Sequence, residues 1–143
     1  MKKEIKKEDL KNIAQEIIEI IKNQTIDKAV ILALSGDLGA GKTTLTQEIA
    51  KHLKITKEII SPTFVIMKNY EIKNDKWKKL IHIDAYRLEE EKSLDFMNWT
   101  ELISDKNNLI IIEWPEMVKD HIPPHSITFH LSHKDSETRI IEY

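Results

Sequence analysis

Cysteine is absent from this 143-residue chain, which excludes a disulfide framework and any thiolate metal site. Glycine is almost as rare. The chain has three, Gly36, Gly39 and Gly41, and all sit in one short stretch. Arginine is limited to Arg87 and Arg139 among 22 basic side chains, which weighs against mechanisms built on arginine clusters. No uninterrupted apolar run approaches the length of a membrane helix. The charged residues 1–9 lead into no apolar stretch, so they do not read as a signal peptide, and the cytoplasm is the expected location. The net charge of −2 argues against a stand-alone DNA or RNA binder, which usually carries a basic surplus. Local lysine clusters at 2–11 and 73–79 read as solvated surface. With 41% hydrophobic and 32% charged residues, the chain reads as one soluble domain, residues 1–143, with a single core.

The glycines belong to the most informative stretch. Gly36-Asp37-Leu38-Gly39-Ala40-Gly41-Lys42-Thr43 fits G-x-x-x-x-G-K-[ST], the phosphate-binding P-loop. Glycines let the backbone curl so that successive N–H groups face an anion, and the following helix adds its positive N-terminal end. Residues 37–44 are therefore the expected nucleotide cradle: Asp37, Leu38, Gly39, Ala40, Gly41, Lys42, Thr43 and Thr44. Lys42 is expected to reach the β- and γ-phosphates of a nucleotide, and the Thr43 hydroxyl to sit on Mg²⁺. The flanks agree. Residues 29–34 are an apolar run of strand length, and Leu45, Ile49 and Leu53 recur every four residues, so strand, loop and helix follow in the confirming order.

Elsewhere, residues 1–5 read as a short edge strand and residues 9–22 as an amphipathic helix with Leu10, Ile13, Ala14, Ile17, Ile18 and Ile21 on one face. Residues 59–67 read as a turn feeding a strand, with Pro62 biasing Ser61 to an extended conformation. Tyr70 and Ile72 continue it, and Asn74-Asp75 suggests a turn. Residues 80–84 form a strand ending on an acid, residues 89–98 a short helix and residues 99–103 a second helical segment. Residues 109–113 have the pattern of a buried parallel strand, again ending on an acid. Pro115 starts a short helix at its first position, and residues 126–132 and 137–143 alternate as a C-terminal antiparallel hairpin. The expectation is an α/β three-layer domain with a mainly parallel sheet. In such sheets ligands sit at the carboxyl ends of the strands. Asp84, Glu113 and the glycine loop all lie there.

Each acid has two readings. Asp84 serves Mg²⁺ or caps a following helix, the metal role being favoured. Glu113 serves a metal or an attacking water, or pairs with a lysine. Thr63, after Pro62, senses a γ-phosphate as switch loops do or simply starts a strand; spacing alone favours the strand. Trp114 packs over the site or belongs to the core, while Trp77 and Trp99 read as packing. His82 and Asp84 share a strand face, a weak metal signature by itself.

Four ordered stretches carry a resemblance: Gly36 to Thr43, then Ser61-Pro62-Thr63-Phe64, then His82-Ile83-Asp84-Ala85-Tyr86-Arg87-Leu88, then Glu113-Trp114-Pro115-Glu116. In these the chain resembles the TsaE (older name YjeE) family, the P-loop ATPases of bacterial tRNA threonylcarbamoyladenosine synthesis. The resemblance implies a small P-loop NTPase-like domain with a mixed sheet. It implies Thr63 as the switch threonine, Asp84 and Glu113 as carboxylates of the Mg²⁺–ATP site, and Trp114 as a tryptophan beside it. It implies TsaB and TsaD as partners, with TsaC making the threonylcarbamoyl-adenylate and tRNA reached through the complex. One departure is visible. The family usually carries glycine where this chain reads Phe96-Met97-Asn98, and asparagine is the residue type that best substitutes in a left-handed turn.

The leading reading is thus an ATPase in a tRNA-modifying assembly. Lys42, Thr43, Thr63, Asp84 and Glu113 carry the reaction, and Arg87 is the one arginine near the site. A small-molecule kinase of P-loop type is the alternative, opposed by the scarcity of arginine and of a lid-length insertion. A GTPase lacks its Asn-Lys-x-Asp stretch. A nucleotide-dependent scaffold with negligible turnover is the alternative from outside enzymology.

Overall fold

The computed structural model describes residues 1–60, 66–73, 76–88 and 98–143, and of Arg87 the backbone. Thr63 with its Ser61-Pro62 turn, the Asn74-Asp75 turn, the expected helix up to residue 97 and the Arg87 side chain lie outside the described residues.

At the centre is β2 (Val30–Gly36). Its residues are buried except for Ser35, as befits a strand covered on both faces. Around it are β1 (Lys2–Lys6), α1 (Leu10–Lys22), α2 (Lys42–His52), β3 (Met67–Glu71), β4 (Lys79–Asp84), α3 (Trp99–Ser104), β5 (Asn108–Glu113), β6 (Ile127–His133) and β7 (Thr138–Glu142). The strands form one seven-stranded sheet in the order β1-β7-β6-β2-β5-β4-β3.

The sheet corrects one expectation. Pairs β6–β2, β2–β5 and β5–β4 are parallel, whereas β1–β7, β7–β6 and β4–β3 are antiparallel. The sheet is therefore mixed, not mainly parallel. The reason is connection length. Parallel neighbours need a crossover of a dozen or more residues, usually a helix. The links from β3 to β4 and from β6 to β7 are too short for that, so each pair folds back on itself. The expected C-terminal hairpin is the β6–β7 pair.

Alternation along the strands divides the core. Val30, Leu32 and Leu34 of β2, Leu80 of β4, and Leu109 and Ile111 of β5 pack beneath α1 and α2. α1 contributes the expected stripe, Leu10, Ile13, Ala14, Ile17, Ile18 and Ile21, all buried. Ile31, Ala33, Ile81, Ile83, Ile110 and Ile112 face the other way, toward Trp99 of α3, Leu88 and Val118. Among the described residues that second layer consists of α3, six residues long, and 3-10 turns at Ala85–Arg87 and Pro115–His121. Trp77 and Trp99 are buried core, as expected. Asn98, in the stretch where the glycine is expected, is left-handed (φ 55°, ψ 44°) and stands at the N-terminus of α3 without a side-chain cap bond. No helix among the described residues is long and apolar enough to cross a membrane.

Candidate functional site

The glycine loop joins the carboxyl end of β2 to the start of α2. All three glycines have positive φ, 126° at Gly36, 73° at Gly39 and 110° at Gly41. Gly36 is the most constrained. It pairs with Leu131 of β6, and a Cβ there would lie 1.8 Å from the Leu131 carbonyl oxygen. The loop is tied to β6 again by Asp37, whose N–H donates to Leu131 O (3.1 Å) and whose Oδ2 accepts from His133 N (3.2 Å). Gly41 precedes α2 with no side-chain cap. The amides of the first turn of α2 are thus left to face the loop mouth, the arrangement that favours an anion.

Lys42, the first residue of α2, is buried. Its Nζ donates to the carbonyls of Gly36 (2.8 Å) and Asp37 (2.7 Å) and lies 4.2 Å from the centre of the Trp114 ring. Burial holds the ammonium below the ordinary lysine range, against the pull of Glu113, Glu116, Asp37 and Asp84.

Strand register brings the acids to this loop. Asp84 and Glu113 end neighbouring strands and stand opposite each other. Both share the parity of Leu80 and Leu109, so both face the α1–α2 layer where the loop lies. Thr43 Oγ1 donates to both oxygens of Glu113, at 3.1 and 3.2 Å. His82, two residues before Asp84 on the same face, has Nε2 at 2.5 Å from Glu113 Oε2. Asp84 Oδ1 accepts from Tyr86 N (3.0 Å) and caps the 3-10 turn that follows. Its capping reading therefore holds, and Asp84 lines the cleft as well.

That cleft is about 210 Å³ and is lined by Leu38, Gly39, Gly41, Lys42, Thr43, Thr44, Asp84, Glu113 and Trp114. Two residues of the expected cradle do not line it. Asp37 turns its carboxylate to β6, and Ala40 is buried in the α1–α2 core. Both readings of Trp114 hold: it lines the cleft and also packs against the second core layer. It is itself left-handed (φ 58°) and sets the chain into the turn begun by Pro115. Tyr86 stands beside it, ring centres 4.9 Å apart.

Sequence reasoning missed the partner of Glu113. Among the described residues its hydrogen bonds come from Thr43 and His82, and no lysine lies within ion-pair distance. The shared parity of His82 and Asp84 was the available signal, but it did not say which residue of the next strand His82 would meet. The described residues contain no group of three or more metal-ligating His, Asp or Glu side chains. What stands at the cleft is a hydroxyl and two carboxylates. Such a hard-oxygen set suits Mg²⁺, which keeps several waters and binds through one or two carboxylates and substrate phosphates.

The comparisons with known proteins agree with one another. The family model described as threonylcarbamoyl adenosine biosynthesis protein TsaE matches residues 5–141. Proteins described as tRNA threonylcarbamoyladenosine biosynthesis protein TsaE are similar along most of their length. The one from Haemophilus influenzae is 30% identical over 126 residues, 88% of this chain and 77% of the relative. The one from a Nostoc species is 36% identical over 125 residues, 86% of this chain and 75% of the relative. Among solved structures, the crystal structure of YdiB from Bacillus subtilis superposes with a TM-score of 0.71 at 27% identity, covering 99% of this chain and 82% of that one. With a family match across nearly the whole chain and relatives alike in sequence and in fold, this chain belongs to the TsaE family.

Proposed function

We propose that the chain is a Mg²⁺-dependent ATPase that serves N6-threonylcarbamoyladenosine modification of tRNA in the cytoplasm, acting with TsaB and TsaD. The relatives' descriptions supply the process. The observation that carries the chemistry is the meeting of Lys42, Thr43, Asp84 and Glu113 around one cleft, with Thr43 already bonded to Glu113.

The roles follow from placement. The loop amides and the first turn of α2 receive the phosphate chain of ATP. Lys42 exchanges its bonds to the Gly36 and Asp37 carbonyls for β- and γ-phosphate oxygens. Thr43 Oγ1 and the carboxylates of Asp84 and Glu113 would hold Mg²⁺, which would supply positive charge against the phosphate oxygens. Glu113 also orients the water that attacks the γ-phosphorus as the bond to the ADP oxygen breaks. Trp114 walls the cleft beside Lys42, and Thr63 senses the γ-phosphate.

Transition-state charge calls for a further cation. Arg139 is committed elsewhere: its Nη1 donates to the carbonyls of Asp135 (2.9 Å) and Thr138 (3.1 Å) in the hairpin turn. Among the described side chains no arginine supplies it, so the proposal takes the charge from a partner; cations supplied in trans raise rates by about 10³–10⁵ in other P-loop systems. Steady-state phosphate release, with and without TsaB and TsaD, is the test. Slow release by the chain alone and a marked rise with the pair are expected. Equal rates in both conditions would refute the partner-switched ATPase.

A further inference from the structure

We propose that His82 is a positioning residue for Glu113, an inference that rests on the ATPase reading above. His82 is fully buried in β4. Its Nε2 lies 2.5 Å from Glu113 Oε2, and its Nδ1 has no hydrogen-bond partner among the described residues. A carboxylate only accepts, so the network assigns the proton of this contact to Nε2. His82 stands opposite Ile111 rather than Glu113, so its ring reaches along the sheet to the neighbouring strand's last residue. Asparagine is too short for that reach, and an apolar side chain offers no donor.

Glu113 is held by two donors of different kinds. Thr43 opens α2 and belongs to the loop that receives phosphate, so its hydroxyl answers to nucleotide. His82 sits in the sheet with no exposed surface, its rotamer fixed by packing. It is the support of Glu113 that does not change when the loop changes, the role that outer partners of liganding carboxylates play in metal sites. Ground-state binding of ATP rests chiefly on the loop amides and Lys42, with which His82 makes no hydrogen bond among the described residues. Loss of His82 therefore acts on the chemical step more than on affinity.

The test compares His82→Leu with His82→Gln, whose longer amide returns an N–H near the place of Nε2, after circular dichroism shows both folded. In His82→Leu, kcat is expected to fall about 10–100-fold, the range for loss of such outer partners, while KM for ATP changes by much less. His82→Gln is expected to recover most of kcat, and His82→Leu is expected to add no further loss in a Glu113→Ala background. A second readout needs no turnover. In nitrogen NMR of the nucleotide-free protein, the His82 Nε2–H resonance is expected to be protected from exchange and to shift on Glu113→Ala. An unchanged kcat in His82→Leu, equal losses in the Leu and Gln variants, or a resonance indifferent to Glu113 would each overturn the proposal. A wild-type chain with no turnover even beside TsaB and TsaD overturns the ATPase reading instead, and the NMR measurement then still decides whether His82 holds Glu113.

Discussion

Adding one methyl group to Gly36 tests how the cradle is built. Its Cβ would lie 1.8 Å from the Leu131 carbonyl oxygen and 2.7 Å from the carbonyl carbon. Both are backbone atoms of a fully buried residue, so no side-chain rotation relieves the clash. β2 and β6 must part by more than an ångström at this point. That stretches the Asp37 N to Leu131 O bond (3.1 Å) and the ladder beside it. Forcing alanine to φ 126° costs about 1–2 kcal/mol, and buried backbone groups left without partners cost about 1–3 kcal/mol. Gly36→Ala should therefore destabilise the protein by about 2–5 kcal/mol. For a chain of this size that lowers Tm by about 7–17 °C. Gly39→Ala is the control. Among the described residues its Cβ would meet nothing closer than the His133 ring at 4.0 Å, so the conformational cost of about 1 kcal/mol is what remains. Thermal and urea unfolding followed by circular dichroism measure both. A Gly36→Ala protein within about 1 kcal/mol of wild type, or a Gly39→Ala protein equally damaged, would show that the β2–β6 junction does not set the loop.

Three further outcomes are expected. Because burial lowers the Lys42 pKa from its ordinary value, the unfolded chain binds more protons than the folded one between the depressed value and the ordinary one. This group's contribution to stability therefore rises with pH through that window. Lys42→Met should remove that rise, seen as a difference in denaturant midpoints between the two proteins across alkaline pH, and should abolish ATP binding in a titration while the fold persists. Asp84→Ala should lose the cap to Tyr86 N, at about 1 kcal/mol of stability, and Glu113→Ala should leave Thr43 and His82 without their acceptor. Both should reduce phosphate release far more than folding, and full turnover in either folded variant would remove that carboxylate from the reaction. Thr63→Ala should lower the rate stimulated by TsaB and TsaD by a larger factor than it lowers ATP affinity, and full stimulation would refute its switch role.

Local pattern determined much of this molecule. The three-and-four spacing of Leu10 to Ile21 defines α1 and the face it buries. An apolar run, three glycines and a helical repeat define β2, the loop and α2, because hydrophobic period and glycine conformation act over a few residues. Alternation also places His82 and Asp84 on one strand face. What it does not contain is which strands are neighbours. Strand pairing joins residues far apart in the chain, and each pairing is chosen by burial and connection length across the whole fold. Only the tertiary structure set β6 beside β2, which makes Gly36 indispensable through Leu131, a residue 95 positions away. It likewise made the sheet mixed, through short links that leave β3 antiparallel to β4 and β7 antiparallel to β6. And it gave Glu113 its partners, Thr43 from 70 residues earlier and His82 from 31. Buried carboxylates must find donors wherever the fold brings them, and no periodicity in the sequence records where that is.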